Sequence, residues 1–203
     1  MRNWDELAGD ESIKKVATAL NAVGIGVFIT KNVDEAKKKV LEIIPEGAEI
    51  MTMASETLAV MGIDKELNES GRFNSIKARL MKMDRATQGR EMQKLGASPE
   101  WAIGSVQAVT EDGSVFIASA TGSQLGAYAY AASHVIWVVG TQKIVKNWDE
   151  GVKRVYEYAL PHEDEKRKKL GQEGSAVRKL LVVSGEHVPQ RITVVLVNEK
   201  VGV

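Results

Sequence analysis

The sequence predicts an α/β fold on a mostly parallel sheet. Three observations carry that prediction. The first third alternates strand-like and helix-like segments, the cadence of βαβ units. Further strand-like runs, "WAIGSVQAV", "SVFIASA" and "HVIWVVG", follow, and "KLLVVSG" and "RITVVLVNE" close the chain. Finally, no internal repeat and no low-complexity linker divides the 203 residues, a length suited to one fold with a sizeable core. We therefore expect a single domain over 1–203, with a helical leader at 1–24 and a sheet-containing core at 25–203.

The leader helix runs from Trp4 to Ala22. Leu7, Ile13, Val16, Ala17 and Leu20 recur at three- and four-residue spacing, and Gly24 is placed to cap the end. "GVFITK" (26–31) has strand composition. Asn32 followed by Glu35 has the form of a capping box opening the helix "VDEAKKKVLEII", which Pro45 and Gly47 close. "AEIMTMA" (48–54) is the second strand, and Ser55 is placed to cap "ETLAVMG". Between Gly71 and Pro99 a long basic helical pattern offers Ile76, Leu80, Met83, Met92 and Leu95 as buried positions. "QLGAYAYAA" reads as a helix, and "WDEGVKRVYEYAL" as another ended by Pro161. A charged, glycine-containing stretch, "HEDEKRKKLGQEGSAVR", then leads into the last two strands.

Composition narrows the function. Lys plus Arg (27) equals Asp plus Glu (27), so no global field draws the chain to nucleic acid or anionic lipid. The absence of cysteine removes disulfides, thiol catalysis and thiolate-held clusters. His134, His162 and His187 lie far apart without ligand-like spacing, so no metal site is expected. The N-terminus has no secretory apolar core, and the longest apolar run, around "HVIWVVG", is far short of a bilayer span. The expectation is a cytoplasmic protein with no membrane contact.

In an open parallel sheet ligands bind beyond the carboxyl ends of the strands. Candidate residues follow from the strand ends. "ASET" offers Ser55 and Thr57; Ser55 is equally an ordinary helix cap. In "ATGSQLGA", Gly122 permits a tight turn, while Thr121, Ser123 and Gln124 supply donors beside the next helix. "QAVTEDGS" contributes Gln107, Glu111 and Asp112; Glu111 could act as a general base, whereas Asp112 precedes a glycine in an ordinary hairpin signal. "VGTQKIV" brings Thr141, Gln142 and Lys143 to a strand end, where a lysine could neutralise an anion. No P-loop, GxGxxG fingerprint or Ser-His-Asp spacing is present, and no cofactor is implied.

The ordered blocks "ASETLAVMGI", "VQAVTEDGSVFIASATGSQLGAYAYAASHVIWVVGTQKIVKNWDEGVKRVYEYALP" and "RITVVLVNEKVGV" resemble the LUD domain, a lactate-utilisation family, from about Glu49 to the C-terminus. The resemblance implies the superfold of ribose-5-phosphate isomerase and CoA transferases: a three-layer α/β/α sandwich with its site at the carboxyl edge of the sheet. It also implies a link to lactate or related organic acids, and partner proteins of lactate utilisation. Two departures stand out. Many short LUD proteins carry a cysteine cluster where this chain has "KRKKLGQEGSAVRK", and related isomerases place an acid where it has Gln107. An amide cannot shuttle protons as a carboxylate does. Three functions stay open: a protein binding a small anionic metabolite through Ser55, Thr57, Gln107, Thr121, Gly122, Ser123, Gln124 and Lys143; an enzyme on a sugar phosphate or acyl-CoA using Glu111 and Asp112; and a non-catalytic sensor or assembly module. "GAYAYAA" could pack against a second copy in a homodimer.

Overall fold

The computed structural model describes residues 2–203. Its centre is a six-stranded, wholly parallel sheet in the order β1 (Gly26–Thr30), β10 (Ile192–Val197), β7 (His134–Gly140), β4 (Trp101–Gly104), β2 (Glu49–Thr52), β3 (Asn74–Ser75). β10 and β7 are in the middle and match residue for residue, Val194 opposite Trp137 and Val195 opposite Val138. Both are apolar on both faces, as parallel strands covered on each side must be.

Helices α2 (Val33–Ile43), α3 (Glu56–Val60) and α4 (Ile63–Glu69) cover one face. Ala36, Val40, Leu58, Ile63 and Leu67 pack there on Ile50, Ile103, Ile136, Val138, Val195 and Val197. The other face is covered by α1 (Asp10–Ala22) and by a second sheet. Its order is β8 (Ile144–Val145), β5 (Ala108–Thr110), β6 (Val115–Ser119), β9 (Lys179–Val183). Ile13, Val16 and Leu20 of α1 meet Val109, Val115 and Ile117 over Val135, Trp137 and Val194. The expected α/β architecture with a mostly parallel central sheet is therefore present. The division of the strands between two sheets was not expected. "WAIGSVQAV" breaks after Gly104: its first half is a central strand and its second half belongs to the other sheet, whose outer face packs on Val155 of the helix after β8.

Local signals account for most boundaries. The Asn32 side chain accepts the Glu35 N–H at 2.9 Å, and the Glu35 carboxylate accepts the Lys31 N–H at 2.9 Å, one residue ahead of the usual capping-box partner. Gly24 adopts φ +86° just past α1, where a side chain would run into the Glu186 carbonyl. Ser55 accepts the Leu58 N–H at 3.3 Å.

Four expectations need correction. The leader helix begins at Asp10, leaving Leu7 exposed. The basic stretch is two helices, α5 (Ile76–Leu80) and α6 (Arg85–Ala97), because Asp84 caps a new start by accepting the Ala86 N–H at 2.9 Å. Of its proposed buried positions only Ile76 is buried, and α6 buries none of its residues. "QLGAYAYAA" winds into a single wide π-helical turn at Ala127–Ala131, with Tyr128 buried and Tyr130 exposed. Pro161 does not end its helix. Trp148–Lys153 (α7) runs into a π-helical segment, Arg154–Ala159, and on into α8 (Leu160–Lys169). The proline falls in the first turn of α8, a position where its missing N–H is least costly.

Candidate anion site at the carboxyl edge

β2, β4 and β7 end side by side, so the residues just beyond them converge. Thr57 lies in the first turn of α3 after β2, Ser105 directly follows β4, and Lys143 closes a short 3-10 turn, Thr141–Lys143, after β7. Lys143 Nζ is 3.0 Å from Thr57 Oγ1 and 3.1 Å from Ser105 Oγ, and the two hydroxyls are 3.2 Å apart. Only 2 % of Lys143 is exposed. Among the described residues no carboxylate bonds to it.

A buried lysine without an acid partner is held towards its neutral form. Burial lowers the Lys143 pKa well below the ordinary 10.5, and the charge of Arg154 lowers it further, against a weaker opposing pull from Glu56. Glu56 is itself engaged, with Lys166 Nζ at 2.8 Å and His162 Nε2 at 3.8 Å.

Arg154 is the second buried cation, with no exposed surface. It sits in the first position of the π-helical segment, where a widened turn carries it inward. Its Nη1 donates to the Gln107 carbonyl, and its guanidinium lies 5.1 Å from the centre of the Tyr158 ring. Nε and Nη2 have no hydrogen-bond partner among the described residues. Burial pulls the Arg154 pKa down to about 10, opposed by Tyr158 and Asp5. Asp5 does not bond the guanidinium; it accepts from Tyr158 Oη and pairs with Lys200 at 2.7 Å. Unpaired buried N–H groups of a guanidinium are costly, so Nε and Nη2 are donors open to a water or a ligand acceptor.

A roof crosses this group. Gln142 Nε2 donates to the carbonyls of Val201 (3.0 Å) and Gly202 (3.2 Å), while Val201 packs into the core. Gly202, at φ +63°, lies so close to α3 that a Cβ there would be 2.4 Å from Thr57 Oγ1. Ser105 and Glu56 keep partial exposure and mark the open side.

The remaining candidates fall into other neighbourhoods. Thr121, Gly122, Ser123 and Gln124 form a turn organised by Ser119, whose Oγ accepts the Gly122 N–H at 2.9 Å and donates to Gln124 Oε1 at 3.0 Å. Gly122 has φ +86° and would strike Lys179 if it carried a side chain. Gln107 joins the two regions: its carbonyl receives Arg154, and its side chain accepts the Ala118 N–H at 2.8 Å. Asp112 forms the β5–β6 hairpin turn with Thr110 and Ser114. Glu111 faces α1. Its Oε1 accepts from Ser12 Oγ at 2.5 Å, its Oε2 is 3.7 Å from Lys15 Nζ, and with Arg2 and Lys146 it lines a cavity of about 110 Å³. His134 stacks on Trp101 at 4.1 Å, and no cluster of three metal-ligating side chains occurs among the described residues. Nor is any helix among them long and apolar enough to cross a membrane.

Ser105 and Arg154 were missed in the sequence. A Gly-Ser pair inside an apolar run was the available sign of a strand end for Ser105. Arg154 carries no local signal.

The LUD domain family model matches residues 13–197. A crystal structure of a DUF162 family protein from Deinococcus radiodurans aligns at a TM-score of 0.58 and 15% identity, covering 95% of this chain and 100% of that one. eIF2B beta from Chaetomium thermophilum aligns at 0.39 and 13% identity over 58% of this chain and 44% of its own. No curated protein matches.

Proposed function

The chain belongs to the LUD domain family, a family associated with lactate utilisation, and from that premise we propose that it binds a small organic anion of the lactate type at the carboxyl edge of its central sheet. One observation carries this reading: two buried cations, Lys143 and Arg154, stand within electrostatic reach of each other and neither is bonded to a carboxylate. An anion beside them would restore the missing charge. Thr57 and Ser105 would donate to its oxygens, Lys143 would take up a proton, and Arg154 would gain acceptors for Nε and Nη2.

The test is calorimetry and thermal unfolding with lactate, pyruvate and inorganic phosphate. A probe at about 100 times its dissociation constant should stabilise the fold by roughly 2.7 kcal/mol. Because binding of lactate favours the ammonium form of Lys143, lactate titrations in two buffers of different ionisation enthalpy should show net proton uptake. Lactate binding without proton uptake would remove Lys143 as the cation that answers the anion. No binding of any probe would sink the reading.

A catalytic reading rests on a different place. In it Glu111 serves as base or nucleophile towards a sugar phosphate or acyl-CoA from the cavity it lines with Ser12 and Arg2. Glu111 is not among the charges acting on Lys143. Glu111→Gln should therefore leave anion stabilisation unchanged and cost about 0.5–1.5 kcal/mol of fold stability through its weakened bond to Ser12. A loss of anion binding in a folded Glu111→Gln protein would join the two places into one site.

A further inference from the structure

We propose that Lys143 forms an imine with a small 2-oxo acid, so that the anion site is also a carbonyl-capturing site. This rests on the anion reading above. The surroundings of Nζ favour that chemistry. The nucleophile must be an amine, and Lys143 Nζ is enclosed by two hydroxyls rather than by the carboxylate that would hold it as an ammonium. Arg154 reinforces this by its charge. The carboxylate of the oxo acid needs a cation near the amine; Arg154 acts on the charge of Lys143 and has two N–H groups without a partner among the described residues. A 2-oxo acid carries both groups on adjacent carbons.

The hydroxyl pair provides the proton path. When the Nζ lone pair attacks the carbonyl carbon, the carbonyl oxygen becomes an alkoxide, and the first amine proton passes to it through Thr57 or Ser105 to give a carbinolamine. The C–O bond then breaks as the second amine proton reaches the leaving hydroxyl by the same hydroxyls, so both amine protons depart in one water and the C=N bond remains. One water is produced per imine, and no electrons are exchanged. Thr57 and Ser105 touch at 3.2 Å, and Ser105 is the partner open to solvent, so the relay has an outlet. The roof at Val201 and Gly202 shields the bond from hydrolysis on the opposite side.

The experiment traps the intermediate. The protein is incubated with pyruvate and sodium cyanoborohydride, which adds hydride to the imine carbon and leaves a stable secondary amine, and the modified lysine is located by peptide mass mapping. Lys143 should react at least about tenfold faster than the exposed lysines, since each unit by which a lysine pKa falls raises its neutral amine about tenfold. Lactate, which has no carbonyl, should slow the reaction by competition. Lys143→Met should lose the fast adduct, and Ser105→Ala, which removes a donor to the anion together with the relay hydroxyl, should bind pyruvate more weakly and still trap more slowly when pyruvate is saturating. Adducts spread evenly over exposed lysines, with lactate and pyruvate still stabilising the fold, would overturn the imine and leave the anion site standing. No adduct at Lys143 and no stabilisation by either acid would overturn both.

Discussion

Lys143→Met is expected to flatten the rise of stability with pH that Lys143 should give the native protein on the alkaline side. The folded chain holds Lys143 well below 10.5 because the amine is buried and Arg154 repels its charge, whereas the unfolded chain restores the ordinary value. Between the two values the unfolded state binds more protons, so stability must increase with pH until about 10.5 and fall as pH drops towards the folded value. The slope from one such group is at most about 1.4 kcal/mol per pH unit. Titrations common to both proteins cancel in the comparison. Arg154, Glu56, and behind Glu56 the side chains of Lys166 and His162 are the charged and titratable groups that face this position, and all remain in the variant.

The opposing cost is modest. Methionine loses the bonds to Thr57 and Ser105, about 0.5–1.5 kcal/mol each, but the two hydroxyls already lie 3.2 Å apart and can satisfy each other. The variant should therefore be the less stable protein near pH 10 and should overtake the native one as pH falls. Urea unfolding of both proteins from pH 6 to 10 measures the crossing. Parallel curves would mean that Lys143 keeps its charge in the folded state, and the uncompensated-cation argument would fail with it. Lactate and pyruvate should cease to stabilise the variant by more than about a tenth of their native effect, judged against the stabilisation expected from mass action.

What the sequence shows and hides follows from how local each feature is. Asn32, Glu35, Ser55 and Gly24 act within four residues, so they mark their helices directly. Ile13, Val16 and Leu20 are legible for the same reason, being successive turns of one stripe. Assignment of strands to sheets is not local. Ala102 and Val109 are equally buried and apolar, yet one lies in the central sheet and the other in the second, and only pairing with His134–Gly140 or with Ile144 and Val145 separates them. The site divides along the same line. Thr57 and Lys143 were visible as residues beyond strand ends, but their contact spans 86 positions and exists because β2, β4 and β7 are neighbours. Arg154 is buried by a carbonyl 47 positions upstream, a relation no periodicity records. Glu111 sat at a strand end like the others and belongs to the second sheet instead, where α1 supplies its partners.

Gly104→Ala should be among the most damaging single-methyl changes in the protein, and its effect should reach the anion site. A Cβ at Gly104 would stand 1.9 Å from Tyr128 Oη and 3.2 Å from both Tyr128 Cζ and Met53 Cβ. Tyr128 has no room to retreat: it is fully enclosed and packs edge-on against Trp137, ring centres 5.5 Å apart and planes at 88°. Trp137 is the residue paired with Gly104 across the sheet, so the methyl, the phenol and the indole compete for one space. Overpacking of this kind costs about 1–3 kcal/mol or more. Relief by the backbone would shift Ser105, the next residue, away from Lys143. Urea unfolding should therefore report the loss of stability, and calorimetry with lactate should report weaker binding in whatever fraction remains folded. Adding Tyr128→Phe removes the atom at 1.9 Å but keeps the ring, and it should restore a large part of both losses. Because contacting residues couple while distant ones add, recovery in the double variant would locate the strain at this contact. Equal losses with and without the phenol would place it instead between Gly104 and Met53, on the β2 side of the same strand end.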